Sequence, residues 1–294
     1  LGTGADQSNI DVNGATLSIN GIGTVNGNVG MRNPGTTVTI KKDGTLNGGV
    51  TVNRGTLTNN GNIDGGIDTT GGNSSVTVTV GATGSVGGLV DHDAGTLTSS
   101  GDLNGGLSLG NGVTANINAG NVRGGTIVGL GTLNVAGGAK LDGITLNGGQ
   151  NGGVVNNSGN IGGSVVVNGG AFNTNGTITG PVITNGGMTN AQGTINGNVT
   201  TNGGSGFTTT GTLTHTGNFT NGGALNVEGG DLNSSGGTFT NTGNISIADG
   251  RALNFAGAMT NSQRIGLGAG TPGMITATLG GGVSGSGGST FDMQ

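Results

Sequence analysis

Residues 55–67 read GTLTNNGNIDGGI, and residues 95–107 read GTLTSSGDLNGGL. Glycines stand at matching places in both, and apolar residues alternate with polar ones between them. The second half of each copy, Gly-x-apolar-x-Gly-x-apolar, returns along the chain. It is GTVNGNV from Gly23, GTLNGGV from Gly44, GNIGGSV from Gly159, GTITGPV from Gly176 and GTINGNV from Gly193. Degenerate copies start near Gly84, Gly120 and Gly138. Successive starts average about 19 residues apart, a spacing that belongs to stacked repeats.

Within a repeat the residues point to strands. Thr37-Val38-Thr39-Ile40 and Thr77-Val78-Thr79-Val80 alternate polar and β-branched apolar side chains, the pattern of a half-buried strand. Glycine is too dense for a helix, and no apolar stripe of helical period persists. Each unit therefore reads as two or three short strands separated by Gly or Asn, which tolerate the backbone of sharp corners. One such coil cannot bury its own inward face. Coils stacked at strand spacing close a narrow core of Val, Ile and Leu. Asn side chains at equivalent corners are then expected to hydrogen-bond from coil to coil. About 15 coils at ~4.8 Å each predict an all-β rod of about 70 Å.

The composition agrees with a thin core. With 74 Gly among 294 residues, 30% hydrophobic residues and 2% aromatics, an ordinary globular core would be hard to fill. Charged residues at 7% argue against a coiled coil and a solvated charged tail. Disorder is the competing reading of so much glycine, and the alternation and the repeat exclude it. A net charge of −5 with no basic face argues against nucleic acid as a partner and against attraction to anionic lipid. No apolar run is long enough for a membrane-spanning helix, so the chain is not expected to insert. Leu1 opens it without a charged or apolar leader, so any targeting segment is expected to have been removed. The absence of Cys excludes disulfides, thiolate zinc sites and thiol catalysis.

These GTLTNNGNI-type units, with their Gly, Asn and Thr richness, resemble the passenger domains of bacterial autotransporters, the self-associating adhesins above all. The resemblance extends over nearly the whole chain. It implies a right-handed parallel β-helix on a Gram-negative cell surface, anchored by a C-terminal barrel. No stretch of this chain shows the long amphipathic strands of such a barrel. Residues 1–294 are accordingly read as one passenger domain or fragment. GNISIADGRALNF from Gly243 also resembles the repeats of two-partner filamentous haemagglutinins, but no NPNL or NPNG motif accompanies it. All six Phe lie from Phe172 onward, which makes the coils of about 205–294 the expected stable nucleus.

Right-handed β-helices also include polysaccharide lyases and hydrolases, whose acid–base chemistry needs paired carboxyls. From Gly143 to Val227 there is no Asp, Glu, Lys or Arg, and no Trp or Tyr exists to stack a sugar. The chain is therefore expected not to be an enzyme, and to hold no cofactor. Asp91-His92-Asp93 has the right groups for a divalent cation. Alternation puts His92 on the opposite face from Asp91 and Asp93, so the run is read as a solvated turn rather than a metal site. His215 reads as a surface or ladder residue. Glycines 280–282 lack the Lys and the helix of a phosphate loop. A flat threonine array for binding ice is disfavoured, because Thr77, Thr79, Thr208 and Thr210 do not recur at constant offsets.

One charge pattern remains. Arg32, Lys41, Lys42 and Arg54 fall close together, and Asp64, Asp68, Asp91, Asp93 and Asp102 follow. They read either as two small solvated patches or as a contact surface near the N-terminal end, and in the second reading they are the candidate self-association residues. The expected partners are copies on neighbouring cells or host matrix molecules, with a monomer in dilute solution. The rival functions are a passive stalk and a polysaccharide-processing enzyme.

Overall fold

Alternating apolar side chains on short strands are hidden only when the next coil covers them. The computed structural model describes residues 9–149 and 152–267, and the backbone of 276–279, 283–285 and 291–293. Among the described residues there are strands and no helices, and the fold is a right-handed parallel β-solenoid of about 13 turns. That differs little from the about 15 expected. Ile67 pairs with Val50, 17 residues before it, and with Val90, 23 residues after it. The chain divides into two units, 1–142 and 143–294, each built on the same plan.

In unit 1 a coil contributes three strands, here called faces one, two and three. Face one holds strands such as Val29–Met31, Val50–Val52 and Val90–His92. Face two holds longer ones, Thr37–Ile40, Thr56–Asn59, Thr77–Val80 and Thr96–Ser99 among them. Face three holds two-residue strands such as Thr45–Leu46 and Asp102–Leu103. Every pairing is parallel and in register, so Val38 lies against Leu57, Leu57 against Val78, and Val78 against Leu97. These residues are fully buried, as are Leu46, Ile63, Val86 and Leu103 on face three. Each contributes about 1.5–3 kcal/mol by leaving water.

The coil corners explain why glycine is so frequent. Gly55 and Gly95 open the two longest repeat copies, with φ of 98° and 72°. A Cβ on Gly95 would stand 1.9 Å from the Val76 carbonyl oxygen, and one on Gly55 would stand 2.2 Å from that of Thr36. Each obstacle is backbone of the preceding coil and cannot swing aside. Gly95→Ala is therefore expected to destabilise unit 1 by about 2–4 kcal/mol, through a left-handed backbone and a direct overlap together. Denaturant unfolding of the variant measures this. A change of a few tenths would mean that the corner has room.

Unit 2 keeps the three faces but fills the core with larger side chains. Phe172, Phe207, Phe219, Phe239 and Phe255 are all buried. Phe219 stacks on Phe239 with ring centroids 5.4 Å apart, and Phe239 meets Phe255 edge-on at 4.8 Å. Register produces this spine, since Phe219 pairs with Phe239 and Phe239 with Met259 on successive strands. The side chain of Phe291 lies outside the described residues, as do glycines 280–282.

Asparagine forms the expected ladders. Asn185 donates to Asn168 at 2.8 Å and Asn202 to Asn185 at 2.6 Å. On the outer side of face two, Asn173 donates to Asn156 and Asn190 to Asn173, both at 2.8 Å. Inside the coil, Asn221 bonds Asn241 at 2.7 Å and Asn241 bonds Asn261 at 2.6 Å. A buried amide is costly unless paired, and stacking supplies its partner one coil away.

Candidate interaction surfaces

The outer side of face one in unit 1 gathers part of the charged set. Arg32 follows Val29–Met31, and its guanidinium lies 3.6 Å from the Asp11 carboxylate of the preceding coil. Asp68 and Asp91 hold the same outward position on neighbouring strands and stand opposite each other across the pairing. Asp68 accepts the Thr70 backbone N–H at 2.7 Å, and Asp93 accepts a long 3.4 Å bond from the Thr70 hydroxyl. Asp11, Arg32, Asp68 and Asp91, with Asn28 and Thr51, line an open groove of about 810 Å³. It is polar, of mixed charge, and without an aromatic platform.

The other candidates lie elsewhere on the coil. Lys41 and Lys42 are exposed at the corner between faces two and three, where the Gly44 N–H closes a turn onto the Lys41 carbonyl at 2.9 Å. Arg54 is exposed at the corner between faces one and two, and Asp64 at the corner between faces three and one. Asp102 is on face three, 3.6 Å from Arg123 of the next coil. Burial raises its carboxyl pKa, but the Asn121 side chain and backbone and the Arg123 charge outweigh that and hold it below the ordinary value. Sequence proximity thus misleads: only Arg32, Asp68, Asp91 and Asp93 share one side of the coil.

The Asp91-His92-Asp93 run corrects the expectation of a solvated turn. Val90–His92 is a strand, Asp91 faces out, and His92 faces the core with no exposed surface. It takes the inward position that Leu109 takes in the next coil. Neither ring nitrogen has a hydrogen-bond partner. Burial lowers its pKa to about 4, with the Gly95 backbone and the Asp91 charge opposing only in part. His215 is buried, so of the two expected places it takes the ladder and not the surface, paired with Ile195 and Ser234 of the neighbouring coils. Its Nδ1 is 2.8 Å from the Ser234 hydroxyl, and its Nε2 is 3.1 Å from the Gly197 carbonyl oxygen. Burial lowers its pKa, against the Gly197 carbonyl.

The threonines give a second correction. Offsets along the sequence vary, yet Thr16, Thr37, Thr56, Thr77, Thr96, Thr114 and Thr132 pair one with the next on face two. Two residues further on, Ser18, Thr39, Thr58, Thr79 and Thr98 form a parallel column that continues as Asn116 and Asn134. Corners and loops absorb the length differences, so strand register and not a constant offset aligns the threonines. Aligning repeats on the polar–apolar–polar strand itself would have revealed both columns.

No family model, curated protein or solved structure matches the chain.

A further regularity of unit 2 escaped the sequence reading. Phe219-Thr220-Asn221, Phe239-Thr240-Asn241 and Met259-Thr260-Asn261 are successive face-one strands. In each, an apolar residue and an Asn point inward and a Thr outward. Their even spacing is the signal that could have found them.

Proposed function

We propose that this chain is the passenger portion of a bacterial cell-surface adhesin, acting without catalysis through contacts with copies on neighbouring cells or with host surface molecules. The observation that carries this reading is the repetition of polar and charged groups along a parallel β-solenoid, with the mixed-charge groove of Asp11, Arg32, Asp68 and Asp91 on one side. A stacked fold offers the same contact many times, and weak contacts multiply when many copies are held together. An exposed ion pair adds only about 0–1 kcal/mol, so dilute molecules stay apart while densely displayed ones aggregate. A Gram-negative cell surface is the setting this reading requires.

A passive stalk is the second reading, and unit 2 favours it in part. Residues 143–227 carry no Asp, Glu, Lys or Arg. Many of their outward amides bond one another along the ladders rather than standing open to a partner.

The test neutralises the groove, Arg32→Gln with Asp68→Asn and Asp91→Asn in one variant, and follows the settling of cells that display the chain. Slower settling, and settling of the parent that weakens with salt, is the expected result. Settling unchanged by both would leave the charges without a role and favour the stalk.

A further inference from the structure

Face two of unit 1 presents something that neither adhesion nor a spacer requires. Its strands place two side chains outward each, so the columns beginning at Thr16 and Ser18 form a two-dimensional lattice. Seven strands follow in succession, and none of the six pairings has a register shift. Four successive coils carry threonine at both positions: Thr37 and Thr39, Thr56 and Thr58, Thr77 and Thr79, Thr96 and Thr98.

The hydroxyls of these eight residues are open. Among the described residues, none of them has a side-chain hydrogen bond within the chain, whereas the asparagines at the equivalent outward position in unit 2 bond to one another. No charged residue occupies either column. Face one, by contrast, carries Asp68 and Asp91, and face three carries Asp102 and Lys140. A charge holds its own water in an orientation that suits no lattice. Threonine does otherwise: its hydroxyl anchors one water, and its methyl group orders its neighbours without binding them.

Spacing supplies the ligand. Strands repeat at ~4.8 Å along the stack, and alternate residues of one strand stand ~6.7 Å apart. These distances lie close to the two repeat distances of oxygen on a prism face of hexagonal ice. The side chains are also held rigidly, because the inward residues between them, Val38, Leu57, Val78 and Leu97, are fully buried. We propose that face two of unit 1 binds ice, with the Thr37–Thr98 columns holding a layer of water that continues into the crystal lattice. The single outward column Thr200, Thr220, Thr240 and Thr260 in unit 2 has no second column on its strand and lacks this match.

The test uses the full chain, measuring thermal hysteresis and the incorporation of fluorescently labelled protein into a slowly growing ice hemisphere. The parent is expected to shape ice crystals, to hold them against growth and to enter the hemisphere. Thr58→Tyr with Thr79→Tyr should lose all three, while its circular dichroism and melting stay those of the parent. Thr220→Tyr should keep all three. Exclusion of the parent from ice overturns the proposal, and so does equal loss in the Thr220→Tyr control. If the parent ignores ice but the double variant stops displaying cells from settling, face two serves a second copy of the chain and the ice assignment falls. Settling lost through the charge variant alone, with ice binding intact, would separate the two functions.

Discussion

Phe239→Ala is expected to destabilise unit 2 by about 3–5 kcal/mol, the cost of emptying a buried aromatic site that cannot collapse. The ring is 1% exposed, stacks on Phe219 and meets Phe255. The backbone around it cannot close the gap, because parallel pairing on both sides fixes Phe239 between Phe219 and Met259. Stacked coils are stabilised by their neighbours, so the loss should spread to adjacent coils. In the parent, limited proteolysis should leave a fragment from the C-terminal half. In Phe239→Ala that fragment should be cut within the coils of Phe219 and Phe255. A fragment from unit 1 surviving in its place would show that the aromatic spine is not the most stable part.

The second large effect is a loss of stability in mild acid, centred on His92. In the folded chain its pKa is about 4, and in an unfolded chain it returns to 6.5. Between these values the unfolded state binds a proton that the folded state refuses, so stability falls as pH falls. Above pH ~6.5 the contribution is complete, and below ~4 no more is lost; the total is about 3 kcal/mol. His92→Leu continues the inward position of Leu109 and removes the titrating group. Its stability should exceed that of the parent at pH 4 and differ much less at pH 7, as read by denaturant unfolding at each pH. Equal acid sensitivity in both proteins would place the titrating group elsewhere, with buried His215 the next to test.

His92 is also where the sequence reading failed for a physical reason. A histidine between two aspartates looks solvated, and the alternation that places it opposite Asp91 does not say which face is the core. Register with Leu109 says so. The threonine columns are the mirror case: every residue was visible, but their alignment depends on corners of unequal length that the sequence alone does not fold. The charged set is divided for a third reason, since residues adjacent in sequence occupy different corners of one coil.

The class of structure follows from the residues alone. Alternating β-branched residues between recurrent glycines can be satisfied only by stacked parallel coils, and the aromatic residues all fall from Phe172 onward. Tertiary structure decided which side chains meet. Each coil is short and its length varies, so contact between residues about 17–23 positions apart is fixed by backbone pairing, and the loops yield to that pairing.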